Sequence, residues 1–334
     1  MPARKSATVV VLHAQSGDTA RPTGMAAVEA MADVRYVTEN GLVEALPGAD
    51  VLLVWDFRAA TLSRAWQVAD TLRWVHAASA GVNHVLTPEL VAGDLRDVVV
   101  TNSRGVFDEP MAEYVLAMAL ALAKDLPTTL TRQRERRWHH RETERLGGKR
   151  ALVAGTGPIG RAIGRKLAAA GMTVTGLGRT PRATDPDLGE VLPMSSLSEV
   201  LPDMDWVVLA APLTDETRGM IDAKTLAAMK PTARLINVGR GPLVVQDDLV
   251  DALSGGGLAG AALDVFVDEP LPVASPLWEM PNVIVSPHMS GDVVGWRAEL
   301  VALFHDNLTR YLDGEPLRNV VDKARGYVRE KGTP

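Results

Sequence analysis

Short apolar runs alternate with amphipathic stretches along the first hundred residues. Thr8–Leu12, Val34–Val37, Val51–Trp55, Trp74–Ala77 and Val98–Thr101 are mostly rich in Val and bounded by polar residues, so each predicts a strand. Helical patterns lie between them, and this alternation predicts a parallel sheet. A second alternation runs to about Pro287, with strands predicted at Ala151–Ala154, Thr173–Leu177, Trp206–Leu209, Arg234–Val238, Gly260–Asp264 and Val283–Val285. Three segments separate the two series. Residues 102–110 read as a polar linker and helix start. Met111–Lys124 is apolar nearly all round, the pattern of a helix buried on several sides. Asp125–Lys149 reads as an arm. The last forty residues read as helical, with a turn at Leu312–Glu315.

A chain of 334 residues with this pattern predicts two domains. Hydrophobic residues at 46% and charged residues at 23% are ordinary for a soluble globular protein. The net charge of −6 gives no electrostatic reason to expect nucleic acid. The arm carries six Arg between Arg132 and Arg145, but Glu135, Glu142 and Glu144 are interspersed, so it reads as a mixed solvated face. The absence of cysteine excludes disulfides, thiolate catalysis and Cys-based metal sites, and accords with a cytoplasmic location. The N-terminal apolar run is too short for a signal-peptide core, and no apolar stretch is long enough to cross a bilayer. His139 and His140 are adjacent and cannot both face one site from a helix, so no metal is expected.

The second alternation opens on a loop with a mechanism. Leu152–Ala154 predicts a strand, Gly155-Thr-Gly157-Pro158-Ile159-Gly160 follows, and Arg161–Ala170 predicts a helix. Glycine at the first position permits the tight turn, at the second the approach of backbone to a pyrophosphate, and at the third close helix–strand packing. The helix N-terminus offers N–H groups to the phosphate. The loop therefore predicts a dinucleotide site. An acid after the next strand would bind the ribose 2′-hydroxyl of NAD. The chain instead has Gly178-Arg179-Thr180-Pro181-Arg182 there. Two guanidinium groups and a hydroxyl suit a 2′-phosphate, which predicts NADP(H), with NAD(H) as the alternative.

Three further polar residues follow apolar strands, where open α/β sheets bind ligands. They are Arg240 in LINVGRGPLV, Glu269 in AALDVFVDEPLP and His288 in NVIVSPHMSG, with Asp264 inside the second of these strands. The set fits hydride transfer to a 2-keto acid. Arginine can grip a carboxylate in bidentate fashion, histidine can protonate the carbonyl oxygen, and a carboxylate beside histidine favours its protonated form. Arg240 would also polarise the carbonyl.

On Gly155–Gly160, Ala211-Pro-Leu-Thr-Asp-Glu-Thr217, Asn237-Val-Gly-Arg-Gly241, Leu263-Asp-Val-Phe-Val-Asp-Glu-Pro270 and Ser286-Pro-His288, the sequence resembles the D-isomer-specific 2-hydroxyacid dehydrogenases over nearly its whole length. Within that family it is most similar to the glyoxylate/hydroxypyruvate reductases. The resemblance implies that Arg240, Glu269 and His288 form the catalytic set. It implies cofactor contacts from the glycine loop, Arg179, Thr180, Arg182, Ala211, Pro212, Leu213, Thr217, Val238 and Gly239, with Asp264 at the nicotinamide end. It places substrate on the backbone of Ala80, Gly81 and Val82 and on Arg240. Asn83 departs from the Asp that many members carry there. Trp55 and Phe57 are candidates to line the pocket, and Trp138 to reach a partner subunit's pocket.

The implied architecture is α/β, with two Rossmann-like or flavodoxin-like parallel-sheet domains and a cleft between them. Residues 1–103 plus 292–334 would form the substrate domain and 104–291 the dinucleotide domain, with two crossings as a hinge. Met111–Lys124 and the arm would pack a homodimer. Formate dehydrogenases of this fold carry Gln where Glu269 stands. Long phosphoglycerate dehydrogenases carry regulatory domains for which this length leaves no room. A dinucleotide-sensing, non-catalytic protein on the same fold is the alternative from another class, and the chain lacks an obvious recruitment tail.

Overall fold

A computed structural model describes residues 7–17, 19–59 and 62–328. The chain divides into two compact units, Met1–Phe107 with Val293–Pro334, and Asp108–Asp292.

The first unit is built on β1 (Ala7–Leu12), β2 (Ala32–Val37), β3 (Val51–Val54), β4 (Trp74–Ala77) and β5 (Val99–Asn102), in the order β2-β1-β3-β4-β5. Every neighbouring pair is parallel, which is the order of flavodoxin-like sheets. β3 and β4 are buried throughout, as expected of strands covered on both faces. The helical patterns between these strands form only one-turn helices, at Ala26–Glu29, Leu42–Ala45, Leu62–Ala65 and Pro88–Val91, with short 3₁₀ turns. Gly24, Gly41, Pro47, Gly48 and Gly93 punctuate these connections and keep them short. Among the described residues of the last forty, only the first half is helical. The helix Trp296–Asp313 closes on Gly314, which is left-handed at φ 72°. Beyond it Val321–Asp322 pairs antiparallel with Tyr327–Val328.

The second unit carries β6 (Arg150–Ala154), β7 (Thr173–Gly178), β8 (Arg182–Asp185), β9 (Gly189–Pro193), β10 (Trp206–Leu209), β11 (Arg234–Asn237), β12 (Gly260–Leu263) and β13 (Val283–Val285). They run in the order β13-β12-β11-β10-β6-β7-β9-β8. All pairs are parallel except the edge pair β8–β9. The helices that matter to the site are α1 (Asp108–Ala123), α2 (Leu126–Arg134) and α3 (Pro158–Ala169). α1 sets Ala112, Val115, Ala119 and Leu122 into the core that also holds Ala162, Ile163 and Leu167 of α3. α2 buries no residue, and the segment after it is irregular, with Trp138 fully exposed.

His76 lies in the core of the first unit without any exposure. Its ring packs against Trp74 and Phe304, and Nδ1 lies 2.7 Å from Thr101 Oγ1, which also accepts the Trp74 indole N–H. Burial pushes the His76 pKa down from 6.5 to about 3. Below pH 6.5 the unfolded chain therefore takes up a proton that the folded ring excludes, so this group removes stability as pH falls through the 6.5-to-3 window. The slope is at most about 1.4 kcal/mol per pH unit. His76→Gln is expected to be less stable than the parent at pH 7, with the gap narrowing steadily toward pH 4 in denaturant titrations. A gap independent of pH would refute neutral burial of the ring.

Candidate active site

Backbone forms the first half of the site. β6 delivers Gly155 at φ 110°, a conformation that favours glycine, and a β-carbon there would stand 2.6 Å from the Ala210 carbonyl. At Gly160 a β-carbon would stand 1.8 Å from Gly155 O, so only glycine lets α3 start against the loop. Gly157 is the opposite case, with nothing within 4 Å of where its β-carbon would be. Pro158 occupies the first helical position, where its missing N–H costs nothing. Among the described residues, the N–H groups of Thr156, Gly157, Ile159 and Gly160 donate to no acceptor. Four free donors around an open face at a helix N-terminus fit a pyrophosphate.

β7 ends beside this loop, because a β-carbon on Gly178 would meet Thr156 Oγ1 at 2.7 Å. Arg179 and Thr180 follow it on the surface. Arg182 Nε lies 3.1 Å from Asp185 Oδ2. On the other flank, Ala211 packs behind Gly155, Pro212 is exposed and Leu213 is half-buried. Thr217 turns its hydroxyl inward, donating to Pro212 O at 2.7 Å and accepting from Thr214 N–H at 2.8 Å. Val238 is a core residue, and Gly239 fits tightly between Leu243 and Ala211 O. Thr217, Val238 and Gly239 therefore shape the wall by packing, and none presents a free side-chain group outward.

The second half is made of side chains. The Glu269 carboxylate accepts from Phe266 N–H at 3.0 Å, and its other oxygen lies 2.7 Å from His288 Nδ1. Burial works to raise the Glu269 pKa, but the His288 hydrogen bond and charge outweigh it and hold the carboxyl below its ordinary range. An ionised carboxylate only accepts, so Nδ1 carries the proton toward Glu269. Arg240 is half-buried, and burial lowers its pKa. Among the described residues its guanidinium makes one hydrogen bond, from Nη1 to Gly239 O at 2.7 Å, and no ion pair. A desolvated cation without an anion is costly, and an anionic substrate would relieve it.

Asp264 holds the turn that bears His288. It is fully buried; Oδ1 accepts from the Ser286 hydroxyl at 2.5 Å and from Met289 N–H at 2.9 Å, and Oδ2 accepts from Ser290 N–H at 2.9 Å. His288 N–H donates to the Asp264 carbonyl at 2.9 Å, with His288 left-handed at φ 53°. Ser286 is in turn hydrogen-bonded to the phenol of Tyr114 on α1. Burial pushes the Tyr114 phenol up to about 12, against the Ser286 hydrogen bond and with the Asp264 charge, so the phenol stays protonated and donates. The sequence pattern had not singled out Tyr114 or Ser286. The available signal was a lone hydroxyl in an otherwise apolar helix.

In the first unit, the Ala80 carbonyl accepts from Asn102 Nδ2 at 2.6 Å and the Gly81 carbonyl from Ser79 Oγ at 2.7 Å. Among the described residues, the N–H groups of Ala80, Gly81 and Val82 meet no acceptor. Trp55 is buried and Phe57 half-buried.

The family described as D-isomer specific 2-hydroxyacid dehydrogenase, NAD binding domain, matches residues 116–290. The chain belongs to this family. The D-isomer specific 2-hydroxyacid dehydrogenases are NAD(P)-dependent oxidoreductases, and this chain is one of them. It is 32% identical over 318 residues to a glyoxylate reductase of Thermococcus gammatolerans, covering 91% of this chain and 92% of that protein. It is 31% identical over 331 residues to a D-3-phosphoglycerate dehydrogenase of Mycobacterium tuberculosis, where 95% of this chain spans only 60% of the relative. It is also similar to the solved structure of an NADPH-dependent glyoxylate/hydroxypyruvate reductase from Sinorhizobium meliloti in complex with NADP and sulfate. That match has a TM-score of 0.80 at 30% identity, over 97% of this chain and 100% of the other. Among the described residues of this dehydrogenase, no helix is long and apolar enough to cross a membrane.

Tyr114 and Ser286 share one hydrogen bond, so their removal should not add. Tyr114→Phe and Ser286→Ala are each expected to destabilise by about 1 kcal/mol, and the double variant by clearly less than the sum. Additive losses in urea denaturation would show that the two hydroxyls act independently.

Proposed function

We propose that this chain is an NADPH-dependent reductase of a small 2-keto acid of the glyoxylate or hydroxypyruvate type, yielding the D-2-hydroxy acid, with His288 as proton donor. The observation that carries the reading is the His288–Glu269 pair, at 2.7 Å, in the same compact unit as the four free loop donors and a half-buried Arg240 without an ion pair. Bound NADPH supplies the hydride. Thr156, Gly157, Ile159 and Gly160 hold its pyrophosphate through backbone N–H, and Arg179, Thr180 and Arg182 meet the 2′-phosphate. Arg240 takes the substrate carboxylate and polarises the carbonyl. The Ala80, Gly81 and Val82 amides of the first unit are assigned to binding a substrate carboxylate. As charge grows on the carbonyl oxygen, His288 gives up its Nε2 proton, and Glu269 keeps the ring in the orientation and tautomer that present it. Asp264 positions the His288 turn and lies at the nicotinamide end. Trp55 and Phe57 are assigned to the pocket wall.

The Sinorhizobium meliloti relative is described as NADPH-dependent and was solved with NADP. This chain has two arginines and no acid from Gly178 to Arg182. The test follows absorbance at 340 nm with NADPH and NADH against glyoxylate, hydroxypyruvate, pyruvate, phenylpyruvate and 2-ketoisocaproate. Fast turnover of NADPH with a small keto acid is expected. NADPH binding without turnover would replace the reductase with a sensor. Replacing both Arg179 and Arg182 by Ala should raise KM for NADPH by about 10- to 100-fold, the range of one or two charged hydrogen bonds, with far less effect on KM for NADH. Equal effects would overturn the NADP assignment.

We also propose a cytoplasmic homodimer. Leu120 of α1 and Leu126 and Leu130 of α2 are exposed apolar residues at 40%, 43% and 51%, and Trp138 is bare on the arm beyond them. These residues suit a second copy of the chain better than water. Sedimentation at micromolar concentration should give a dimer, and Leu130→Glu with Trp138→Ala should shift it toward monomer. A parent chain that sediments as a monomer would end this reading.

A further inference from the structure

Arg182 and Asp185 open and close β8, the edge strand that lies beyond β9 from the end of β7. The Asp185 carboxylate is almost fully buried, with its side chain 2% accessible. Oδ1 accepts from Arg161 Nη1 at 2.8 Å and from Asp187 N–H at 3.1 Å. Oδ2 lies 3.1 Å from Arg182 Nε, a close ion pair that is not aligned as a hydrogen bond. Arg161 stands in the first turn of α3, directly after the dinucleotide loop. Its guanidinium also reaches Asp187 at 3.4 Å. One buried carboxylate thus ties the start of the dinucleotide helix to the base of the Arg182 fork. Among the described residues, neither terminal nitrogen of Arg182 meets an acceptor, although its side chain is only 29% exposed.

We propose that Asp185 is a specificity-determining positioning residue, which pins Arg182 by its Nε and leaves the two terminal nitrogens to grip the 2′-phosphate of NADP. This rests on the NADP(H) reading above. A free arginine on a surface hairpin has many rotamers, and ordering them on binding weakens the complex. An arginine already held at Nε has lost most of that freedom and keeps a planar pair of donors for a phosphate. Asp185 does not cancel the local positive charge, because it faces two arginines, Arg161 and Arg182. Charge and positioning therefore predict opposite signs. Removing an anion near the site should tighten phosphate binding if only charge matters, and should weaken it if orientation matters.

The experiment measures calorimetric affinities of the full-length protein for 2′,5′-ADP, which carries the extra phosphate, and for 5′-AMP, which lacks it. Asp185→Asn is expected to weaken 2′,5′-ADP about three- to tenfold, with a much smaller effect on 5′-AMP. Arg182→Lys keeps the charge and the fold but has neither Nε to be held nor a fork to present. It should lose nearly as much 2′,5′-ADP affinity as Arg182→Ala, and it keeps the question open to test should Asp185→Asn fail to fold. Tighter or unchanged 2′,5′-ADP binding in Asp185→Asn overturns the proposal, as does an equal loss for both ligands or an Arg182→Lys variant that matches the parent. If Arg182→Ala weakens 2′,5′-ADP while Asp185→Asn does not, the positioning role fails and the NADP reading stands. If the parent itself binds 2′,5′-ADP no better than 5′-AMP, the NADP reading fails first.

Discussion

A methyl group cannot be inserted between the α-carbon of Gly160 and the carbonyl of Gly155, where it would stand 1.8 Å from the oxygen. That contact fixes where α3 begins. A larger residue would lift the helix from the strand end, and the free N–H groups of residues 156 to 160 would no longer surround one open face. Gly155 adds a second close approach, to the Ala210 backbone, which locks β10 behind the loop. Gly178 adds a third, to Thr156, which brings the end of β7 and its arginines alongside. The anion cradle is therefore made of backbone, and its shape is set by the absence of side chains at three places. Donors that are unpaired and held rigidly can be matched by a phosphate without reorganisation of the protein.

The side-chain half of the site follows a complementary rule. Asp264 and Glu269 are carboxylates, and each accepts hydrogen bonds from groups of the His288 turn or its ring. An ionised carboxylate can only accept, so every hydrogen bond to it has a fixed direction. Glu269 therefore fixes the tautomer of His288. Asp264 receives the Ser286 hydroxyl, which must then accept from Tyr114, and the chain of donors runs one way from α1 into the turn. His288 sits at a left-handed φ that costs a residue with a β-carbon roughly 1–2 kcal/mol. The hydrogen bonds from residues 286, 289 and 290 to the Asp264 carboxylate, with that from His288 N–H to its carbonyl, offset it.

Much of this was legible in the chain. Apart from β9, the parallel strands of both sheets stand within two residues of where apolar runs placed them, because a strand buried on both faces must be apolar along its length. The glycine loop was legible because each glycine has a steric reason. The edge strand β8 and its inner neighbour β9 were not. Arg-Ala-Thr-Asp carries no apolar periodicity, since an edge strand lies half in solvent and Arg182 and Asp185 serve each other. Single-turn helices replaced the longer ones suggested in the first unit, because glycine and proline in the connections outweighed the periodicity. Thr217 and Val238 show the limit of motif reasoning. Position within a motif does not say whether a side chain faces the ligand or the core, and these two face inward.

Arg240 shows what the remaining imbalance is for. A half-buried structural arginine would be expected to have a carboxylate partner, since a cation taken out of water is costly unless paired. Two other half-buried arginines of this unit are so paired, Arg161 with Asp185 and Arg234 with Glu144. Arg240 alone among these three has only a neighbouring carbonyl, while Glu269, whose charge reaches it, is turned to His288. In this structure the Glu269 carboxylate is at hydrogen-bonding distance of His288 and not of Arg240. Committing it to His288 leaves the cation without an anion until one arrives in solution. A carboxylate beside a reducible carbonyl supplies that charge and sets the oxygen that must be protonated near the same group. The pairing of Glu269 with His288 and the bareness of Arg240 are thus one arrangement, and a 2-keto acid is the class of small molecule that answers both parts of it.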